Sequence, residues 1–200
     1  MVSVHLSGRL SGTVNSARLA RKELGESPQI AVVDSLWASM ALGLIALEGA
    51  RAAQAGGDME EVLAAVRSAQ RRARLLLFCD TLDYLRRGGR IGKAAALVGG
   101  LLRVKPLITL REGEVYPEER VRTRTRAVER LRSWAEGLQY VEEFCVLHSD
   151  SLPDAEALHQ QLTARYPVAT RHITPVGPVI ATHVGPGALG VAALVREPDQ

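Results

Sequence analysis

Hydrophobic positions in the first eighty residues define strands separated by helical stretches. Apolar and polar residues alternate in Val2–Leu6, which predicts a strand with one buried face. Ile30–Val33 and Leu75–Cys79 are apolar at successive positions, as is typical of parallel strands covered on both sides. This order predicts a doubly wound parallel α/β sheet in an N-terminal domain, residues 1–79. The stretches between the strands have helical spacing, at residues 13–24, 35–55 and 59–73.

A different order of elements follows Asp80. A hairpin is predicted from two short runs, 105–110 and 114–117, that flank a Glu-Gly turn. Isolated helices and late strands around this hairpin predict a second, α+β domain with a mostly antiparallel sheet, residues 80–200. The other predicted elements are helices at 81–87, 93–102, 123–137 and 153–166 and strands at 144–148, 168–174, 179–183 and 189–195.

The N-terminal domain has few strands for a doubly wound sheet. Its first predicted strand begins at Val2, and only two more precede Asp80. A parallel sheet of this size leaves unpaired strand edges. We therefore expect the N-terminal domain to be an incomplete part of a larger parallel-sheet domain.

Charge and composition narrow the classes of function. Lys and Arg total 25 and Asp and Glu total 22, a formal net charge of +3, and aromatic residues make up 4%. A nucleic-acid-binding module normally carries a larger basic excess, and single-strand binding needs aromatic platforms. We therefore expect no nucleic-acid partner. Arginines between Arg120 and Arg132 leave such a module as a weaker alternative, although a run of this kind is usually a solvated face or a dock for an acidic partner.

Cysteine usage and the apolar runs indicate a cytoplasmic protein with no stable membrane anchor. Cys79 and Cys145 lie within predicted buried strands, without a CxxC pair or a His cluster beside them. They therefore predict neither a zinc site nor a disulfide framework, as is usual in a reducing compartment. No apolar run approaches the ~20 residues of a membrane span, and no signal-peptide pattern is visible.

Small hydroxyl residues follow the first predicted strand. Ser11 and Thr13 lie between that strand and a helix, where doubly wound sheets bind ligands and a helix N-terminus favours negative charge. Both side chains can donate hydrogen bonds to a carboxylate. The alternative is that they only cap the helix. No base at local spacing supports Ser11 as a nucleophile.

A glycine-rich string, GPGALG, lies near the end of the sequence. It matches the pattern GxGxxG, but the sequence does not extend to the acidic residue ~20 positions later that a dinucleotide site requires. Gly185 and Gly187 instead predict a tight turn whose N–H groups converge on an anion. His183 lies beside this turn and is a candidate for the same site.

A second glycine-rich string, GGRIGK, carries Arg90. Its glycine spacing is one residue short for a phosphate loop, and Ala94 stands where a magnesium-binding hydroxyl is needed. What remains is an arginine displayed on a loop at the predicted domain boundary. The alternative is a solvated arginine after a helix C-terminus.

Three strings together resemble the DegV family: LSGT at 10–13, DTLDYL through GGRIGK at 80–93, and HVGPGALG at 183–190. Their order and separation also match, as does Val121-Arg122 after a hairpin strand, and the resemblance covers nearly the whole chain. Members of this family are bacterial cytosolic proteins that bind a long-chain fatty acid between two α/β domains. The resemblance therefore implies a fatty-acid-binding protein.

The resemblance also implies a carrier rather than an enzyme. Some members are the binding subunits of fatty acid kinase, which present the carboxylate to a separate ATP-dependent kinase subunit and carry the acyl phosphate to phospholipid synthesis. The implied partners are a long-chain fatty acid and that kinase subunit, with no cofactor and no metal. The residues alone leave an alternative, a stand-alone enzyme that uses Ser11, Arg90 and His183 on a small carboxylated or phosphorylated substrate.

By this resemblance, Ser11 would bind the carboxylate, with Arg90 and His183 close to the head group. Arg122 or Arg124 would belong to the kinase-facing surface. Family members carry about a further half domain before the first strand, with a Thr-Ser-rich motif that supplies another hydroxyl. That motif is absent from this sequence.

Overall fold

The computed structural model describes residues 1–25, 29–97 and 104–196. None of the described helices is long and apolar enough to cross a membrane. A 3₁₀ helix is formed by Gly92–Leu97. In chain order the elements are β1 (Val2–His5), α1 (Thr13–Glu23), β2 (Ala31–Asp34), α2 (Ser39–Gln54), α3 (Met59–Arg72), β3 (Ala73–Phe78), α4 (Asp83–Arg87), β4 (Lys105–Arg111), β5 (Glu114–Val121), α5 (Arg124–Glu136), β6 (Val141–His148), α6 (Leu152–Arg165), β7 (Thr170–Pro175), α7 (Pro178–Val184) and β8 (Leu189–Val195).

The smaller of two sheets pairs β1 with β2 in parallel, and α1 connects the two strands. The helix α1 begins after Gly12 without a side-chain cap. The hydroxyl Oγ of Ser11 instead accepts the backbone N–H of Thr13 at 3.3 Å. The predicted parallel pairing is therefore present, whereas neither predicted cap forms at this helix.

The larger sheet has six strands in the order β5-β4-β3-β8-β6-β7. Neighbouring strands are antiparallel except β6 and β7, which run in parallel. The mostly antiparallel sheet predicted from the sequence is confirmed. β8 lies at its centre, and every residue of this strand is buried, which explains its unbroken apolar sequence LGVAALV.

Helices cover both faces of the larger sheet. On β3, Leu75 and Leu77 belong to one hydrophobic core, which includes buried residues of α2 and α3. Leu76 and Phe78 belong to a second core, which includes buried residues of α5 and α6. Because side chains alternate along a strand, a strand that is apolar at successive positions supplies both cores.

The position of β3 corrects the strand assignment made from the sequence. The sequence predicts residues 75–79 in the N-terminal parallel sheet, but β3 pairs antiparallel with β4 and β8 in the larger sheet. A strand that is apolar on both faces fits the interior of either sheet, and local sequence does not name its partners. The chain thus passes from the smaller sheet to the larger sheet before Ala73. The division into domains 1–79 and 80–200 stays a prediction.

Two other elements differ in type from the prediction. Residues 179–183, predicted as a strand, lie within α7, which starts with Pro178 in its first turn and ends before Gly185 at φ +76°. Both are helix-boundary signals, and a short apolar run does not itself distinguish strand from helix. Of the helix predicted over 93–102, the described part is the 3₁₀ helix, and the rest lies outside the described residues.

The loop after β1 is joined to the hairpin of the larger sheet. The hydroxyl of Ser7 is buried and donates to the carbonyl oxygen of Gly113 at 2.8 Å. Arg9 and Glu114 form an ion pair at 3.0 Å. Gly113 has φ +82°, and a β-carbon there would overlap Oγ of Ser7, so only glycine permits this contact. These contacts hold the first loop against the larger sheet.

Candidate functional site

A cavity of about 530 Å³ lies between the larger sheet and the elements at the start of the chain. Residues of β3, β4, β5 and β6 form one wall, and the loop after β1, the start of α2, α4 and α7 form the rest. The volume falls in the range of roughly 300–1,000 Å³ that is usual for ligand cavities. The apolar lining residues are Leu6, Leu10, Ala38, Leu42, Leu75, Leu77, Leu85, Ile108, Leu110, Val115, Leu147, Val176, Val179, Ile180 and Val184.

A few polar side chains interrupt this apolar lining. Four of them are the residues that the sequence singled out, and they come from three separate loops and helix ends. The fold thus brings together hydroxyl, guanidinium and imidazole groups that are far apart in the chain. The polar lining residues are Ser11, Thr13, Ser39, Arg90, Thr109 and His183.

Arg90 is exposed at this cavity and joins two of its loops. Its Nε donates to the carbonyl oxygen of Leu10 at 3.1 Å, and Nη1 donates to that of Gly88 at 2.7 Å. The first bond holds the guanidinium beside Ser11, the next residue of that loop. The side chain is therefore fixed, with its positive charge at the cavity.

His183 lies in the last turn of α7 and packs against Gly88. A β-carbon at residue 88 would overlap Nδ1 of the imidazole. Nδ1 is buried and has no hydrogen-bond partner among the described residues. A buried N–H without an acceptor is costly, so the neutral ring favours the tautomer with its proton on Nε2. With that proton, Nε2 is a hydrogen-bond donor.

The hydroxyls of Ser11 and Thr13 share a hydrogen bond of 2.6 Å. Thr13 is also the first residue of α1, so the N-terminus of this helix lies at the cavity. The positive end of the helix dipole favours a negative charge there. Ser11 is close to Arg90 through the Leu10 contact, and Arg90 and His183 both contact Gly88. The polar residues therefore form one cluster.

Sequence reasoning missed Ser39, although a signal was present. Ser39 is the first residue of α2 and follows β2, as Thr13 begins α1 after β1. Because the carboxyl ends of parallel strands share one edge, the rule that selected the first pair of hydroxyls also selects this one. Thr109 carried no such signal, since it lies within the strand β4. Its hydroxyl donates to the carbonyl oxygen of Leu75 at 2.6 Å within the sheet.

The turn at Gly185 and Gly187 does not present free amides. The N–H of Gly185 donates to the carbonyl oxygen of Ala181 at 2.9 Å, and that of Gly187 donates to Ser149 at 2.7 Å. Both donors are used by the α7 C-terminus and by the loop after β6, so the predicted anion cradle of N–H groups does not form. Neither glycine is among the residues that line the cavity.

Arg124 and Arg122 occupy different environments. Arg124 pairs with Asp80 at 3.2 Å and with Asp154 at 2.6 Å, so its guanidinium is occupied within the chain. These pairs leave fewer of its donors for a partner, and its place on the kinase-facing surface stays a prediction. Arg122 is exposed and forms no hydrogen bond or ion pair with any residue in the described ranges.

The arginine-rich face of α5 is largely neutralised. Arg126 pairs with Glu129 at 3.3 Å, and Arg130 pairs with Glu119 at 2.8 Å. Exposed pairs of this kind contribute little to stability, but they cancel the charge that a phosphate backbone requires. This pairing argues against the nucleic-acid alternative.

Both cysteines are poorly suited to chemistry. Cys79 and Cys145 are buried, and this burial raises the pKa of each thiol to about 12, with nearby carboxylates adding to the effect. A thiol that stays protonated at neutral pH is a weak nucleophile and a weak ligand. No group of His, Cys, Asp and Glu in the described part of the chain is arranged to hold a metal ion.

Comparison with known proteins fits this geometry. The model of the DegV family, described as uncharacterised proteins, matches residues 1–196. The chain belongs to the DegV family. A DegV domain-containing protein of Streptomyces coelicolor is 43% identical over 201 residues, which cover 98% of this chain and 70% of that protein.

Solved DegV structures share the fold. A DegV family protein from Thermus thermophilus, reported for its fatty acid binding, superposes with a TM-score of 0.87 at 38% identity, over 98% of this chain and 70% of that one. The fatty acid kinase B3 protein of Streptococcus pneumoniae, solved with linoleic acid, gives a TM-score of 0.86 at 23% identity, over 98% of this chain and 71% of that one. The second likeness shows the fold alone.

Proposed function

We propose that this protein binds a long-chain fatty acid in the cavity, with the acyl chain along the apolar lining. The carboxylate would lie among Ser11, Thr13, Arg90 and His183. One observation carries this proposal: the polar side chains predicted from the sequence meet at a cavity whose other lining residues are almost all apolar. A ligand that matches both parts has one anionic end and a long hydrocarbon tail.

The energies of the two parts support such a ligand. Burial of a hydrocarbon contributes about 0.8 kcal/mol per CH₂ group, so the tail supplies most of the affinity. A carboxylate is costly to bury unless several donors satisfy it. A guanidinium, an imidazole N–H, the one hydroxyl proton that the Ser11–Thr13 hydrogen bond leaves free and a helix N-terminus provide charge-assisted hydrogen bonds from several sides. The cavity would thus bind the acid in a single orientation.

Gly185 and Gly187 have an indirect place in this proposal. Their N–H groups are occupied, but the absence of side chains lets other residues pack against them: a β-carbon at Gly185 would overlap the ring of Tyr84, and one at Gly187 would lie 2.7 Å from Asp80. We assign them to the wall behind the head group.

The bound acid would be presented to an ATP-dependent kinase subunit in the cytoplasm. In that reaction a carboxylate oxygen attacks the γ-phosphorus of ATP, and ADP leaves. The carboxylate is already deprotonated at neutral pH, so the carrier needs no general base. The resemblance of the sequence to kinase-binding DegV proteins supports this step, and exposed Arg122 is the candidate contact.

The proposal is tested by direct binding. Mass spectrometry of organic extracts from the purified chain should detect about one fatty acid per protein. After delipidation, calorimetric titration should show palmitate binding at one site, with methyl palmitate bound more weakly because it lacks the charge. No bound lipid and no binding of either compound would refute the proposal, as would equal affinity for acid and ester.

A second assay separates a carrier from an enzyme. The loaded protein and ATP should yield no acyl phosphate until a fatty acid kinase subunit is added, as measured by hydroxamate formation. Turnover of a small carboxylated or phosphorylated compound by the purified chain alone would instead support the stand-alone enzyme.

A further inference from the structure

Arg124 contacts three separate parts of the chain. Its Nη1 lies 3.2 Å from Oδ1 of Asp80 and donates to the carbonyl oxygen of Gly187 at 2.7 Å. Its Nε donates to Oδ2 of Asp154 at 3.0 Å, and Nη2 donates to the hydroxyl of Ser151. The guanidinium thus uses the forked geometry that distinguishes arginine from lysine.

The partners of Arg124 lie at the ends of elements that build the site. Asp80 follows β3 and starts the segment that leads to Arg90. Gly187 lies between α7, which carries His183, and β8. Arg124 therefore connects the two segments from which the guanidinium and the imidazole at the cavity are presented.

These two segments pack against each other at three successive points. Asp80 lies beside Gly187, and the ring of Tyr84 lies against Gly185. Gly88 lies against the imidazole of His183. At each point the contact is too close for a β-carbon on the glycine. Because all three contacts join the same two segments, the spacing at the first contact bears on the spacing at the other two.

We infer that Arg124 is a positioning residue of the head-group cluster: it ties Asp80 to Gly187 and thereby sets the approach of the two segments that carry Arg90 and His183. This inference rests on the proposed function. Arg124 itself does not line the cavity. Its role is to hold the residues that do.

The test compares the affinities for palmitate and for methyl palmitate in Arg124→Ala. Loss of positioning should lower the preference for the acid over the ester by about tenfold, because only the acid uses the head-group cluster. A merely structural role would weaken both ligands equally. Arg126→Ala is the matched control, since Arg126 lies on the same helix, is 72% exposed and pairs with Glu129 alone among the described residues. It should leave the ratio unchanged.

Arg124→Lys provides a second variant if the alanine protein does not fold. Lysine retains the charge but reaches fewer of the acceptors, so we expect an intermediate acid-to-ester ratio. NMR of the histidine side chains gives an independent measurement, with the signal of His183 assigned through His183→Gln. That signal should shift in Arg124→Lys and not in Arg126→Ala.

The two possible failures are distinguishable. If wild-type protein itself shows no preference for the acid, the proposed function fails. If the wild type prefers the acid and both Arg124 variants keep the wild-type ratio and the wild-type His183 signal, the positioning role is overturned while the proposed function stands.

Discussion

The α-carbon of Gly88 lies against the imidazole of His183, with no room for a β-carbon between them. Gly88 has φ −75° and ψ −6°, a conformation that any residue adopts. The need for glycine is therefore set by the approach of the histidine ring and not by the backbone. The same glycine accepts a hydrogen bond from Arg90 through its carbonyl oxygen. The guanidinium of Arg90 and the imidazole of His183 therefore both depend on the position of Gly88.

Gly88→Ala should displace His183 and weaken the binding of fatty acid. A side chain moves more readily than backbone, so we expect the imidazole to swing away with little loss of fold. The loss of one hydrogen bond to a charged group corresponds to about 1.5–3 kcal/mol, or roughly 10- to 100-fold in the dissociation constant measured by calorimetry.

Gly177→Ala is the matched control for that variant. Gly177 precedes the same helix, has φ −62°, and nothing lies within 4 Å of a β-carbon built there. Its affinity and melting temperature should match those of the wild type. Equal affinities for the two alanine variants would show that His183 does not contact the ligand.

Arg90→Met should weaken palmitate binding by roughly 10- to 100-fold, since it removes a charge-assisted hydrogen bond worth about 1.5–3 kcal/mol. Ser11→Ala removes a hydroxyl donor to the charged carboxylate, worth about 1.5 kcal/mol, so a loss of about tenfold is expected. Methyl palmitate affinity should change much less in both variants. An equal loss for acid and ester would assign these residues to the fold instead of the head group.

The affinity for saturated acids should rise with chain length until the cavity is filled. Each added CH₂ contributes about 0.8 kcal/mol, or about a fourfold decrease in dissociation constant. Leu77→Phe, on β3, places a larger side chain into the lining and should shorten the optimal acid. Decanoate is the internal control, because its affinity should be nearly unchanged. An affinity independent of chain length would contradict a buried tail.

Arg122→Glu should reduce acyl phosphate formation with the kinase subunit without changing palmitate affinity. Its side chain is exposed and unpaired among the described residues, so the folded protein tolerates the change. Charge reversal at a rim contact lowers the association rate most. Arg126→Glu serves as the comparison for a nearby exposed arginine. If both variants are phosphorylated like the wild type, Arg122 lies outside the kinase contact.

A buried carboxylate on β6 predicts how stability depends on pH. Glu143 is 3% exposed and accepts from Arg51 at 2.6 and 3.0 Å, and it lies 2.7 Å from Nε2 of His172. Burial alone would raise the pKa of Glu143, but the hydrogen bonds from Arg51 and His172 outweigh it, so the pKa lies below its usual value. The unfolded chain therefore binds a proton at higher pH than the folded protein does.

The sign of the effect follows from this difference. The contribution of Glu143 to the free energy of unfolding is complete above the unfolded pKa of about 4.3 and is lost as pH falls through the folded pKa. Glu143→Gln should therefore be less stable than the wild type at pH 7, by about 2 kcal/mol, less than the 3–5 kcal/mol of a fully buried pair because Arg51 is half-exposed. The difference should shrink below pH ~4.

Urea unfolding at several pH values measures this difference. Glu142→Gln is the control, since Glu142 is the neighbouring residue but is 36% exposed. Its effect on the free energy of unfolding should be smaller at neutral pH. A constant difference between Glu143→Gln and the wild type from pH 3 to pH 7 would rule out the charge pair as its cause.

Local patterns determined much of the secondary structure. The helix α3 illustrates this: helical spacing over 59–73 matches the observed Met59–Arg72, which begins with a capping box of Asp58 and Glu61. Polar candidates were also local signals, because hydroxyls after β1 and an arginine on a glycine loop are visible without a structure. These features depend on neighbours in the chain, and so the sequence by itself determined them.

Tertiary structure decided which elements meet. β3 pairs with β8, more than a hundred residues later, and both are apolar on each face, so no local signal could assign the pair to a sheet. The N–H groups of Gly185 and Gly187 are free or occupied only according to which carbonyls lie opposite them. Arg124 resembled its exposed neighbours in sequence, but Asp80 and Asp154 surround it in the fold. Contacts between distant residues depend on packing, and packing is a property of the whole chain.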